Sequence, residues 1–146
     1  MIFRKSIDKE LEDIIREIAD IKKSFEILKH KVAKGEVSLF SRFRKEFRQK
    51  HLTRKLPYLG AEEYEIHLVK TVEKLKRVSK NLRKLLSRVE AKTRSFRLIA
   101  LLRESISTID SIVGGIIGYE EVSRILSEVL LKLNEARMII NAERIK

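Results

Sequence analysis

The apolar residues of the chain repeat at intervals of three and four, which places them along one side of an α-helix. The repeat is most regular near the N-terminus, where steps of four and three alternate over almost four heptads. This spacing is typical of a coiled-coil seam and predicts a long first helix that begins near Ser6. The apolar positions of this seam are Ile7, Leu11, Ile14, Ile18, Ile21, Phe25, Leu28 and Val32.

A second long repeat follows a break at Leu56-Pro57-Tyr58-Leu59-Gly60, where proline and glycine disfavour a helix. Two helices with such seams on either side of a break predict an antiparallel hairpin. Its first arm would cover residues 6–56, with a candidate interruption near Gly35, and its second arm residues 61–97. The second seam is Tyr64, Leu68, Val72, Leu75, Ser79, Leu82, Leu86, Val89, Thr93 and Phe96. We expect the hairpin core to include Ile14, Ile18, Ile21, Phe25, Leu28, Leu75, Leu82 and Leu86.

The remainder of the chain predicts two shorter helices, over residues 98–113 and 119–142. Gly114, Gly115 and Gly118 lie between them and are candidates for a hinge or a helix stop. The chain has one proline and five glycines, so helix is favoured almost everywhere by intrinsic preference. The sequence therefore predicts a single all-α domain over residues 1–146, a long antiparallel hairpin with shorter C-terminal helices packed on it.

The positive charge of the chain is concentrated in its middle third. Overall, 33 Lys and Arg residues and 21 Asp and Glu residues give a net charge of +12. Residues 42–97 hold eighteen of the basic and six of the acidic side chains, so this segment accounts for the whole excess. A localised block of one charge is typical of a surface that faces a charged partner.

The basic residues of the second arm fall on the side of the helix opposite its apolar seam. Several are four residues apart, where like charges repel by a few tenths of a kcal/mol, and between Lys70 and Arg88 only Glu73 interrupts them. The pattern therefore indicates a partner that supplies the anions. We expect the residues that bind a membrane or phosphate to be Arg42, Arg44, Lys45, Arg48, Lys70, Lys74, Arg77, Lys80, Lys84, Arg88 and Arg94.

Two classes of polyanion fit these cations, because anionic lipid headgroups and nucleic acid backbones both present phosphates. Surfaces that bind nucleic acid usually combine basic with aromatic residues, but this chain has no aromatic residue between Lys70 and Arg94. We therefore expect an anionic membrane surface as the partner. Two alternatives stay open: sequence-independent binding to a nucleic acid duplex, and a plain helical module that binds other proteins.

The sequence indicates no catalytic, metal or cofactor chemistry. It has no cysteine and three histidines, and the histidines lie on different segments without the spacing of metal ligands. We therefore expect a protein that is not an enzyme and that holds neither a metal nor a cofactor.

The apolar runs are too short for a membrane span, which needs about 18 to 20 residues. The first residues also lack the apolar run and cleavage site of a secretory signal. We expect a cytoplasmic protein that is peripheral at the inner face of the membrane. Met1, Ile2 and Phe3, followed by Arg4 and Lys5, are candidates for shallow insertion into lipid.

The order of the helices resembles that of the ESCRT-III (Snf7-like) family, in particular its archaeal cell-division members. The shared order is a long first helix, a second helix rich in basic residues, and shorter helices after it. The resemblance spans nearly the whole chain. The positions that carry it are Leu39-Phe40, Glu65, residues 72–80, residues 85–90, residues 99–112 and residues 119–135.

This resemblance implies membrane-binding subunits that polymerise into filaments, deform or cut membranes, and are remodelled by a Vps4-type ATPase. It adds self-association, related subunits and that ATPase to the expected partners. The chain departs from the family at Leu56–Gly60, where members commonly have a helical, alanine-containing run. No ATPase-binding tail is recognisable before Lys146.

Overall fold

A computed structural model describes residues 5–33 and 59–146 of the protein. All of their secondary structure is helical, which confirms the predicted all-α class, and the described ranges contain no strand. The helices are α1 (Ile7–Ala33), α2 (Leu59–Glu90), α3 (Phe96–Val113) and α4 (Tyr119–Glu143).

Serine side chains begin α1 and α3. Ser6 Oγ accepts a hydrogen bond from the Lys9 amide at 3.2 Å, and Ser95 Oγ accepts one from the Leu98 amide at 3.1 Å. Each serine satisfies an amide that the first turn of a helix leaves without an intrahelical partner. These contacts fix where the two helices start.

The C-terminal end of α2 comes earlier than the apolar pattern predicts. The second arm was expected to continue to residue 97, but α2 ends at Glu90. Phe96, expected in the second seam, instead opens α3 and is 88% exposed. The physical reason is local: Thr93 Oγ1 accepts a hydrogen bond from the Ser95 amide at 3.0 Å, and Ser95 takes the extended conformation of an N-cap. Such side-chain bonds compete with the helical backbone ladder.

The N-terminal end of α2 also differs from the prediction, since Leu59 and Gly60 are helical rather than part of the break. The rest of that break, residues 56–58, lies outside the described residues. So do the interruption predicted near Gly35 and the side chain of Leu28.

Three glycines form the connection between α3 and α4. Gly114 caps the end of α3, and Gly115 has a φ of 77°, a left-handed conformation that a side chain would strain. Gly118 is extended and is the N-cap of α4. The predicted helix stop is therefore present, and a hinge motion at these glycines stays a prediction.

Each helix packs against two neighbours, because α1 and α3 both contact α2 and α4. Their apolar sides enclose one continuous core. Leu86 of the expected core is half-buried and packs against its edge. The other described members of the expected core are buried: Ile14, Ile18, Ile21, Phe25, Leu75 and Leu82.

The apolar stripe of α2 is wider than a coiled-coil seam. Val78 and Leu85, which the single predicted seam omits, are fully buried. On the side toward α3, Ser79 is buried and donates a hydrogen bond to Asp110 Oδ1 at 2.6 Å. A helix with two neighbours buries a stripe of about 100° or more, which explains why α2 needs more apolar positions than a two-helix hairpin does.

Arg137 of α4 forms ion pairs with two carboxylates in the first turns of α1. Its Nε lies 2.8 Å from Asp8 Oδ1, and its Nη2 lies 3.3 Å from Glu12 Oε2. The hydrogen bond from Arg137 lowers the pKa of Asp8 below its ordinary value, and the same bond raises the pKa of Arg137. Near the other end of α1, Ser123 donates to Glu26 Oε1 at 3.1 Å. The start of α1 therefore contacts the C-terminal part of α4, and the later part of α1 contacts the start of α4.

We expect Asp8→Asn to lower the free energy of unfolding near neutral pH by about 1 kcal/mol, because Arg137 loses one of its two charged partners and keeps only Glu12. The pKa of Asp8 is depressed in the folded protein, so its contribution is present above the unfolded pKa of about 3.9 and is lost as pH falls through the folded value. Urea unfolding of both proteins, from about pH 7 down to about pH 2, should show their difference shrinking. A difference that stays constant over this range would contradict the role of the Asp8 carboxylate.

Candidate functional site

The helix α2 carries a row of cations on the side opposite its buried residues. We define the basic row as Lys70, Lys74, Arg77, Lys80 and Lys84, all of which are exposed. Because the members are three or four residues apart, they share one side of the helix. The row extends for about 21 Å at about 1.5 Å per residue. It can therefore contact several phosphates of a planar or elongated partner at once.

No member of the basic row forms an ion pair within the described part of the chain, whereas other basic residues of α2 do. Glu73 is the one acidic residue along the row. It pairs with Lys76, whose Nζ lies 3.2 Å from Glu73 Oε1. The carboxylate nearest in sequence is therefore already matched by a cation outside the row, and the row keeps its charge.

Arg88 differs from the other predicted anion-binding residues because it belongs to the contact between α2 and α1. Its Nη1 lies 2.6 Å from Glu10 Oε1 without hydrogen-bond geometry, and its Nη2 donates to the Lys5 carbonyl oxygen at 3.2 Å. Its side chain is only 21% exposed. The structure thus removes Arg88 from the free cations, since its charge already stabilises a helix contact.

Carboxylates of α1 lie along the edge of the basic row that is nearest to α1. Glu17 and Asp20 line a cavity of about 350 Å³ together with Lys74 and Arg77. Glu17 also lines a second cavity, of about 650 Å³, together with Lys84. Opposite charges at short range lower the positive potential of this edge. Lys70 and Lys80 line neither of these two cavities.

The charges of the two helices are unequal. Over its whole length α2 carries eight basic and five acidic side chains, whereas α1 carries six basic and seven acidic ones. The acidic excess of α1 offsets only part of the basic excess of α2. A positive field is left over on α2 and is available to a partner.

Two exposed apolar side chains precede the basic row on α2. Ile66 is 52% exposed and Val69 is 53% exposed. They lie within one turn of Lys70, so an apolar patch adjoins the row. Reasoning from the sequence missed them, although the signal was present: at about 100° per residue both fall outside the seam through Leu68 and Val72.

The other predicted site residues are placed as follows. Arg94 is exposed, but it lies in the connection between α2 and α3 and does not continue the helical row. The predicted membrane-inserting residues lie outside the described residues, as do four predicted anion-binding residues. These are Met1, Ile2, Phe3, Arg42, Arg44, Lys45 and Arg48.

The described residues offer no cluster of metal ligands. They hold no group of three or more His, Asp or Glu side chains that could bind a metal ion. His67 is exposed. Among the helices of residues 5–33 and 59–146, none combines the length and apolar character that crossing a bilayer requires.

Comparisons of the chain with protein-family models, with curated proteins and with solved structures find no match.

We expect Lys80→Glu and Arg88→Glu to differ in their effect on stability, although both reverse one charge on α2. Arg88→Glu places a second carboxylate beside Glu10 in a partly buried contact and should lower the free energy of unfolding by about 2 kcal/mol. Lys80→Glu relieves repulsion from Lys84 and should change the free energy of unfolding by less than about 0.5 kcal/mol. Urea unfolding of the two variants measures both changes. Equal losses of stability would show that the ion pair between Arg88 and Glu10 does not stabilise the fold.

Proposed function

We propose that the protein is a non-enzymatic, filament-forming structural protein of ESCRT-III type that helps to remodel or divide membranes. It binds anionic lipid through the basic row of α2. The observation that carries the proposal is the row itself, a set of exposed cations on one side of a helix that the described carboxylates do not pair with.

Lipid is favoured over nucleic acid by the residues that adjoin the row. Exposed Ile66 and Val69 next to Lys70 form the combination of apolar and basic side chains that is typical of helices at a membrane interface. A nucleic acid backbone would gain nothing from these apolar groups. Stacking of bases is not supported either, because residues 70–94 contain no aromatic side chain.

The weak lipid binding expected of a single basic row favours assembly of many copies on the membrane. Each Lys or Arg near an anionic bilayer contributes about 1 kcal/mol, so the five members of the row together supply about 5 kcal/mol. This corresponds to weak, reversible binding by a single copy. Linking many copies in a filament raises the effective affinity without any new kind of contact. Weak binding by each subunit is thus consistent with a protein that acts as a polymer.

The proposal includes an antiparallel hairpin of α1 and α2. It is supported by the contact between Glu10 and Arg88 and by the cavity that Asp20 and Arg77 share, since residue numbers rise along one helix as they fall along the other. The proposed location is the cytoplasm, at the inner face of the membrane. Related subunits and a Vps4-type ATPase are proposed as partners on the strength of the family resemblance.

We expect the triple substitution of Lys70, Lys80 and Lys84 by Gln to weaken binding to vesicles that contain phosphatidylserine about a hundredfold, because about 3 kcal/mol of attraction is lost. Co-sedimentation measures the binding, and circular dichroism should show unchanged helix content. The matched control replaces Lys9, Lys23 and Lys132 of α1 and α4 by Gln. It removes the same charge and should keep nearly all of the binding.

The same preparations distinguish the alternatives. Electron micrographs of the wild-type protein with acidic vesicles should show polymers or coated tubes, and the triple variant should show bare vesicles. If a labelled DNA duplex displaces the protein from the vesicles at moderate salt, with a steep dependence of its affinity on salt, nucleic acid is the partner instead. If the control set weakens binding as much as the row set does, overall charge rather than the row is responsible.

A further inference from the structure

Phe96 is the most exposed of the large apolar side chains that the structure describes, at 88%. It is the first residue of α3 and follows the connection formed by residues 91–95. A phenylalanine carries a large apolar surface, and leaving it in water forgoes the stabilisation that burial would give. Its position is not explained by packing within the described part of the fold.

The connection that carries Phe96 is fastened to the end of α4. Thr93 Oγ1 donates a hydrogen bond to Glu143 Oε2 at 2.7 Å, and Lys92 Nζ donates to the carbonyl oxygen of Lys146. Ile145, beside this contact, is buried in the core. Because these contacts fix both segments, the exposure of Phe96 is a property of the folded end of the bundle.

Cations outnumber carboxylates around Phe96. Residues 90–97 and 143–146 hold five basic residues, all exposed, and two acidic ones, Glu90 and Glu143. Arg97 pairs with Glu135 at 2.8 Å, whereas Arg94 and Arg144 form no ion pair with the residues described. We call this set the basic tip. It consists of Phe96 with Lys92, Arg94, Arg97, Arg144 and Lys146.

We propose that the basic tip is a second membrane contact, at which Phe96 enters the headgroup region of an anionic bilayer and the surrounding cations contact lipid phosphates. This inference depends on the proposed lipid binding and names a further part of the molecule that takes part in it. An apolar side chain flanked by Lys and Arg matches the boundary between acyl chains and anionic headgroups.

A symmetric contact between two copies of the chain fits the basic tip less well than a bilayer does. It would bring the same cations of both copies together, and like charges repel. An anionic surface instead matches the cations of the tip other than Arg97, which already pairs with Glu135.

The basic tip follows the helix that carries the basic row. The row runs along α2 from Lys70 to Lys84, with exposed Ile66 and Val69 before it, and Phe96 lies six residues beyond the end of α2 at Glu90. Cations along one side of α2 would thus have exposed apolar groups near both ends. Electrostatic attraction would bring the helix to the bilayer, and the apolar groups would hold it there.

The chain contains no tryptophan, so Phe96→Trp introduces a single indole fluorophore at the tip. With vesicles that contain phosphatidylserine, we expect its emission to shift to shorter wavelength and to be quenched when brominated lipids are used. Leu131→Trp is the matched control, because Leu131 is 72% exposed on α4, and its emission should not change. Independently, Phe96→Ala should weaken vesicle binding about tenfold, the loss of one apolar side chain from the interface.

The outcomes separate this inference from the proposed function. If both tryptophan variants sediment with acidic vesicles but the emission at position 96 stays that of an indole in water, the tip is not a membrane contact and the row alone binds. If neither variant nor the wild type sediments with acidic vesicles, the lipid proposal itself fails and the tip proposal falls with it. A shift that depends on protein concentration in the absence of lipid, or that single-stranded DNA produces without vesicles, would overturn the inference in favour of a second copy or a nucleic acid.

Discussion

Burial of the apolar side of α2 between α1 and α3 is the constraint on which the rest of the structure depends. Leu75, Val78, Leu82 and Leu85 are fully buried, and burying side chains of this size is worth about 1.5–3 kcal/mol each. That stabilisation fixes the rotation of α2 about its axis. The basic row lies on the opposite side of the same helix, so the packing of the core also determines where the cations point.

The balance between free and paired cations is set by the neighbours of α2. Towards its C-terminal end, Glu10 reaches Arg88 and turns a surface cation into part of a helix contact. Further along, Glu17 and Asp20 only border the row, and no carboxylate of α1 reaches Lys70 or Lys80 among the residues described. The acidic helix α1 therefore stabilises the bundle and leaves a positive surface beside it. Repulsion among the free cations costs little stability, because water screens exposed charges well.

The apolar repeat predicted the helical class, and it placed α3 and α4 within two residues of where they begin and end. The repeat failed at the end of α2 because its spacing continues through Thr93 and Phe96, while hydrogen bonds of Thr93 and Ser95 end the helix. A helical wheel could not separate Arg88 from Lys70, since eighteen residues are five whole turns. Only the position of Glu10 on another helix distinguishes them. The repeat could not show the exposure of Phe96 either, because that exposure follows from the early end of α2.

Chemical acetylation of lysines, followed by mass spectrometry with and without vesicles that contain phosphatidylserine, tests directly whether the outward side of α2 meets lipid. We expect Lys70, Lys80 and Lys84 to react readily in solution and to be protected on the vesicles, while Lys9 and Lys23 of α1 react equally in both. Equal protection of all five lysines, or protection of the α1 lysines alone, would contradict the claim that the outward side of α2 meets the membrane.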